Sequence, residues 1–320
     1  MYSTPHKHLL LNIVLILVVA SLATSFTILI AYSEVETINT RRTLATPTAV
    51  SSNIVAISDF VNATLVDTWV NNTVEVTLYK ATFIEYKPDI EKIIRGEKEH
   101  YNFLIKNLGN LGRKIVEKRI KYLEEKISSM PDTQIAERLF VTISSTKSST
   151  IAFANVLYDL PNGVVKDPVN VIFWHNGYPD RIDYVMKNLA SISWSSAVGL
   201  PLFAHIDKDH ADNADWVWKW QDKQLQRGDY WKTRHHLRVF GGGYDSDKYY
   251  SWSIGGVHYE EWSWGDFTHI IKSWEYAEYE VHRTFNGQSF TGSIVYVYLY
   301  NDGIYQGIYN NGYAPLIEVR

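Results

Sequence analysis

From Leu9 to Tyr32 the chain carries no charged residue, and Leu, Ile, Val, Ala and Phe dominate. This reaches the ~20 residues that a helix needs to cross about 30 Å of hydrocarbon. Lys7 precedes the run and Glu34 and Glu36 follow it, so the positive-inside rule places the amino terminus in the cytoplasm. Arg41 and Arg42 pull the other way. The pattern predicts a transmembrane signal-anchor that meets the lipid bilayer through residues 9–32 and leaves the rest of the chain extracytoplasmic, at the cell membrane. Ser21-Leu22-Ala23 and Ala31-Tyr32-Ser33 resemble small-residue cleavage sites, so a cleaved signal peptide is the alternative; the length of the run favours the anchor. Asn62-Ala63-Thr64 and Asn71-Asn72-Thr73 are glycosylation acceptors that suit an external location.

Beyond the span, residues 37–53 have the Thr, Ser and Ala content of a linker. Residues 54–86 alternate apolar and polar side chains, most clearly from Thr73 to Tyr79, which is strand periodicity. From Asp89 to Met130 the period becomes helical. Leu104, Leu108, Leu111 and Ile115 form one stripe and Val116, Ile120, Leu123 and Ile127 an adjoining one, with Gly109 and Gly112 as breaks. Such stripes pack a core or mediate self-association, here through residues 89–130. Residues 138–158 read as strands, and Pro161-Asn162-Gly163 as a turn.

Further on, Val169–Trp174 reads as a buried strand. Asp180–Leu189 and Asp215–Gln226 read as helices, and Arg234–Phe240 with Ser251–Tyr259 as a hairpin around Gly241-Gly242-Gly243. Ser273 caps a helix to Phe285, and Ser293–Tyr300 is a β-branched and aromatic strand. The expected fold class is α+β, with an amino-terminal transmembrane helix, a mixed strand/helix region and a carboxy-terminal α+β domain. The expected divisions are a cytoplasmic tip and anchor (1–36), a membrane-proximal domain (37–160) and a second domain (161–320).

Composition narrows the chemistry. A net charge of -4 gives no basic excess for phosphate backbones, so nucleic acid is not an expected partner. The absence of cysteine excludes disulfides, thiolate metal sites and thiol nucleophiles. No Gly-x-Ser-x-Gly elbow, P-loop or dinucleotide fingerprint appears. Asp207–Asn213 gathers three carboxylates, but lacks the glycine a calcium loop requires, and reads as a solvated loop. Trp216, Trp218, Trp220, Trp231, Trp252, Trp262, Trp264 and Trp274 suit either core packing or stacking on a ligand.

Histidines concentrate late in the chain: His235, His236, His258 and His269, then Glu278 and His282 at helical i, i+4 spacing. On a strand His235 and His236 point to opposite faces, and His236 shares its face with Arg238. Imidazole and carboxylate together suit zinc or another divalent metal. The expected metal-ligating and catalytic set is His236, His258, His269 and Glu278. Arg234 and Arg238 are candidate anion contacts, since guanidinium forks match phosphate and carboxylate. Burial of the same histidines in a hydrogen-bonded polar core is the alternative.

The order of four blocks resembles the carboxy-terminal domain of LssY-type proteins, over about residues 167–320. These are Asp167-Pro168-Val169-Asn170-Val171-Ile172-Phe173; Arg234-His235-His236-Leu237-Arg238-Val239-Phe240; Trp252-Ser253-Ile254-Gly255-Gly256-Val257-His258; and Thr268-His269-Ile270 with Ala277-Glu278. The family pattern departs where it would carry a second His, an Asp-Pro pair and an Arg after the Glu; this chain has Ile270, Lys272-Ser273 and Tyr279. The family is often joined to lipid-phosphatase-like membrane segments, whose motifs are absent here. The resemblance implies a cell-envelope module that binds or assembles with an unspecified ligand. The histidine-rich pocket raises a second expectation, a metal-assisted or acid/base hydrolase of an envelope lipid or glycan. An oligomerising surface-structure subunit is a third.

Overall fold

The computed structural model describes residues 54–145, 148–160, 163–199, 202–210, 213–245 and 250–320. The described residues belong to one compact unit, Thr40–Arg320. They form eighteen strands and five α-helices. The α+β expectation is therefore corrected to a predominantly β architecture. The transmembrane helix expected over residues 9–32 and the linker over 37–53 lie outside the described residues. Among the described residues no helix is long and apolar enough to cross a membrane.

The strands are β1 (Ile54–Val70), β2 (Val74–Tyr86), β3 (Thr133–Ser145), β4 (Ser148–Ala154), β5 (Val156–Asp159), β6 (Val164–Pro168), β7 (Val171–His175), β8 (Ser195–Ser196), β9 (Leu202–His210), β10 (Asn213–Trp220), β11 (Lys223–Gly228), β12 (Thr233–Asp245), β13 (Tyr250–Ser263), β14 (Thr268–Ser273), β15 (Thr291–Tyr298), β16 (Gly303–Tyr305), β17 (Ile308–Asn310) and β18 (Tyr313–Val319). The first sheet has the order β4-β3-β2-β1-β10-β9-β5-β6. It draws strands from both sides of residue 160. The second runs β15-β18-β7-β13-β12-β11-β8, with β14 also on β13. Its one parallel pair is β7 with β18.

Helices α1 (Ile90–Gly96), α2 (Lys98–Leu108) and α3 (Asn110–Ser128) connect β2 to β3; α4 (Asp180–Asn188) follows β7, and α5 (Glu275–Phe285) follows β14. Apolar clusters order these elements into four layers. Ile93, Leu123 and Ile127 of the first helices pack with Phe83, Phe140, Trp218 and Trp220 of the first sheet. Val76, Leu78, Val141, Ile143 and Phe153 of that sheet meet Ile172, Phe240, Trp252 and Ile254 of the second. On the far face of the second sheet, Phe173, Leu237 and Val257 pack against Ile182, Val185, Val281 and Phe285 of α4 and α5. Strands covered on both faces lose the apolar/polar alternation that marks a half-solvated strand. Along β2 the even positions Val76 and Leu78 face the other sheet while the odd positions Ala81 and Phe83 face the helices.

The helical reading of residues 89–130 agrees with α1–α3. Gly109 ends α2 in a left-handed conformation, φ 58°. Gly112 is not a break: it lies inside α3, where an added Cβ would stand 2.3 Å from the Leu104 carbonyl oxygen, so it lets the two helices approach. The helix expected over Asp215–Gln226 is corrected to strands β10 and β11. Trp216, Trp218 and Trp220 recur at period two, which is strand periodicity, and the segment pairs with β9 and β1. The triple glycine, read as a hairpin loop, lies within β12, where the register shifts between Gly241 and Tyr244 as at a bulge. The carboxylate-rich stretch read as a loop is occupied by the end of β9 and the start of β10, with residues 211–212 outside the described residues.

Candidate functional site

Strands β12 and β13 pair antiparallel with Phe240 opposite Ile254, Arg238 opposite Gly256, His236 opposite His258 and Arg234 opposite Glu260. All eight side-chain positions lie on one face, because directly opposed residues in a ladder share a face and alternate residues repeat it. Phe240 and Ile254 belong to the core between the sheets. The same face then turns polar residue by residue. The opposite face carries Leu237 and Val257 into the core with α5, and His235 packs there against the Tyr259 and Tyr276 rings.

The polar end of this face opens into a cavity of about 200 Å³. Its wall includes Arg234, His236, Arg238, His258, Glu260 and His269. His236, His258 and Glu260 are buried, and one ligating atom of each lies within 4.8 Å of the others. His258 Nε2 donates to Glu260 Oε2 at 2.7 Å. Glu260 Oε1 accepts from Arg234 Nε at 2.6 Å, and lies 3.6 Å from His236 Nδ1 and 3.7 Å from His269 Nδ1.

Two outer hydrogen bonds define the tautomers. His236 Nε2 donates to Gln224 Oε1 at 3.0 Å, from the neighbouring strand β11, and His269 Nε2 donates to the Tyr230 carbonyl at 2.7 Å. Each neutral ring then carries its lone pair on Nδ1, near Glu260, and that of His236 also accepts from Arg234 Nη2 at 3.4 Å. Both stay neutral. Burial lowers His236 well below the usual histidine value, with Arg234 and Arg238 adding to the effect. Burial also lowers His269 to about 4 against the opposing pull of Glu260. For Glu260, burial acts upward, but His258 and His236 beside it hold the carboxyl well below the usual range. An ionised carboxylate beside the neutral rings of His236 and His269 is a set of electron-pair donors, the form in which these groups bind a divalent cation.

The cations of the wall are paired. Arg234 meets Glu260, Arg238 meets Asp167 at 2.7 Å, Lys166 meets Asp159 at 3.2 Å and Arg119 meets Glu97 at 3.2 Å. Arg234 also donates to Gln226 Oε1 at 2.6 Å and to the Val198 carbonyl at 3.1 Å, and its guanidinium lies 4.6 Å from the Tyr230 ring centre. From the first helical layer, His100 of α2 and Arg119 of α3 reach the same cavity. Phe103 of α2 packs edge-on to Tyr230 and stacked on Trp231.

The structure thus brings together His236, His258 and His269, with Arg234 and Arg238 on the same wall. Glu278 does not line the cavity. It is buried on α5, where burial and then Glu275 raise its carboxyl to about 9. Its i+4 neighbour His282 bonds the Tyr296 hydroxyl at 2.8 Å. Glu260 occupies the place among the histidines that Glu278 was expected to take. The signal for it is the His258-x-Glu260 alternation, which matches Arg234-x-His236 across the hairpin. Of the tryptophans, Trp218, Trp220, Trp252 and Trp274 are core residues, whereas Trp264 is exposed and stacks on Trp231. Arg234, His258 and His269, from separate stretches of the sequence, line this one cavity, and Asp167 reaches it through Arg238. No family model matches the chain, no curated protein matches it, and no solved structure matches it.

Proposed function

We propose that the chain is a divalent-metal-dependent hydrolase, with His236, His258 and Glu260 holding the cation and His269 beside them. The observation that carries this reading is the outer anchoring of the imidazoles. Gln224 and the Tyr230 carbonyl take the far N–H of His236 and His269, and so leave two Nδ1 lone pairs beside one buried carboxylate, the one on His236 also accepting from Arg234 Nη2 at 3.4 Å. Metal-ligating histidines are oriented by partners of this kind. Two imidazoles and a carboxylate suit zinc and leave coordination positions for water. A cation there supplies a Lewis acid and a water ionised near neutral pH. Arg234, held by Glu260, Gln226 and Val198, engages Oε1 of the carboxylate; Oε2 accepts from His258 Nε2, and a cation between them would displace that proton and take both atoms as ligands.

A second reading, a binding module without catalysis, is favoured by Arg234 itself, since a buried guanidinium with four acceptors, His236 Nδ1 among them, is a sufficient reason for a polar core. Metal content by mass spectrometry separates the two. After dialysis against zinc and then buffer, the purified chain is expected to retain one metal per molecule. His258→Gln is expected to lose it and His282→Gln to keep it. Hydrolysis of p-nitrophenyl phosphate and p-nitrophenyl acetate is expected to follow the metal. A folded wild-type chain that takes up no zinc, manganese or magnesium would overturn the hydrolase reading and leave the binding module.

A further inference from the structure

We infer that the cavity contains an anion subsite formed by His100 of α2, Arg119 of α3 and Trp262 of β13, which line it together, and that it receives the phosphoryl group of a phosphate monoester.

Arg119 Nε, Trp262 Nε1 and His100 Nδ1 are all buried without a hydrogen-bond partner, and all three residues line the cavity. Trp262 is 6% exposed and His100 7%. The first two atoms can only donate. A buried donor left unmade is costly, and native proteins leave few of them. His258 Nδ1 is a further unpartnered buried atom at this cavity; the three supplied by α2, α3 and the end of β13 point to one shared acceptor. His100 is neutral, since burial and then Arg234 lower it to about 4. It can therefore donate from Nδ1 without adding charge.

Charge selects the acceptor. The four cations around the cavity are matched by four carboxylates, so the metal-free site is close to neutral. A divalent cation on His236, His258 and Glu260 leaves two positive charges uncompensated. A phosphoryl group carries about −1.5 to −2 near neutral pH, and a carboxylate half of that. Size agrees: about 200 Å³ is below the roughly 300–1,000 Å³ of sites that enclose a whole ligand. It accommodates a headgroup with water, and the remainder of the substrate lies outside. The donor site stands on its own residues, whereas its assignment to the substrate of a hydrolase rests on the reading above.

The test is binding of inorganic phosphate to the full chain, measured calorimetrically with and without zinc. Phosphate is expected to bind in both states and more tightly with zinc. Trp262→Phe keeps an aromatic ring while removing the N–H together with the rest of the indole, and is expected to weaken phosphate binding about tenfold at unchanged metal content, which checks that the neighbouring His269 stays in place. Arg119→Gln is expected to weaken it at least as much. Because Arg119→Gln also leaves buried Glu97 without its ion partner, near-UV circular dichroism checks its fold, and the Trp262→Phe result decides if that fold is lost. Equal phosphate affinity in the wild type and Trp262→Phe, or no phosphate binding by the zinc-loaded chain, would overturn the subsite. Trp262-dependent phosphate binding by a chain that takes up no metal would support the subsite while removing the hydrolase.

Discussion

Two carboxylates on this chain do opposite things, and their surroundings decide which. Glu260 sits among His258, His236 and Arg234 and is held ionised; Glu278 sits on a buried helix face near Glu275 and keeps its proton. Sequence spacing made Glu278 the more attractive ligand, because i, i+4 with His282 is a helical metal motif. What it does not reveal is where that helix face points. Glu260→Gln is expected to abolish metal retention. It also leaves the 2% exposed Arg234 without its counter-ion, and is expected to cost about 3–5 kcal/mol of stability, the scale for breaking a buried pair. Urea denaturation of the metal-free variant against metal-free wild type measures this. A loss under about 1 kcal/mol would mean that water reaches the pair and screens it. His235 and His236 were separable from sequence alone, since strand alternation forces adjacent side chains to opposite faces.

At the scale of elements, the helical excursion between β2 and β3 matters most. Its apolar stripe was legible as a period, and it divides between two cores. Leu123 and Ile127 pack on the first sheet, while Tyr101, Leu104 and Val116 make a small cluster of their own. That division positions His100 and Arg119 at the cavity. Gly112 is the contact point of the two helices, and the atoms an added Cβ would meet are Leu104 and Ile105 backbone, which cannot swing aside. Gly112→Ala is therefore expected to part α2 from α3 at a cost of about 1–3 kcal/mol, typical of overpacking. It is expected to weaken phosphate binding while metal content stays at the wild-type level. Loss of metal in this variant would mean that the helices support the histidine cluster directly. The β10–β11 region shows the converse failure of local reading. Asp215–Gln226 contains enough helix-compatible residues to suggest a helix, yet it forms hairpins with its neighbours β9 and β12 and pairs with β1, more than a hundred positions away.

For the whole molecule, the perturbed groups define a stability profile with pH. His100 and His269 fall to about 4 in the fold and His236 falls well below 6.5. Each is a base with a lowered folded value, so below about pH 6.5 the unfolded chain binds more protons, and stability is lost as pH drops toward 4. Glu278 is an acid raised to about 9. The unfolded chain releases its proton first, so its contribution is fully present below about 4.5 and is lost as pH rises toward 9. Each excess proton changes stability by about 1.4 kcal/mol per pH unit. Denaturation midpoints of the metal-free chain at pH 4.5, 6.5 and 8.5 are expected to peak at the middle value. Glu278→Gln is expected to flatten the alkaline side and to steepen the rise from pH 4.5 to 6.5, where the Glu278 contribution is already falling; a variant that loses stability equally at all three would show that Glu278 contributes through packing. The sequence by itself determined the helical stripe of residues 89–130, the alternation of β12 and β13, the exclusion of thiol chemistry and the concentration of histidines near residues 235–269. These are local periodicities and composition, which act over a few residues. Only the tertiary structure decided that β strands dominate, that Glu260 rather than Glu278 completes the cluster, and that His100 and Arg119 share its cavity. Those outcomes depend on which strands pair and which faces are covered, and pairing joins residues more than a hundred positions apart.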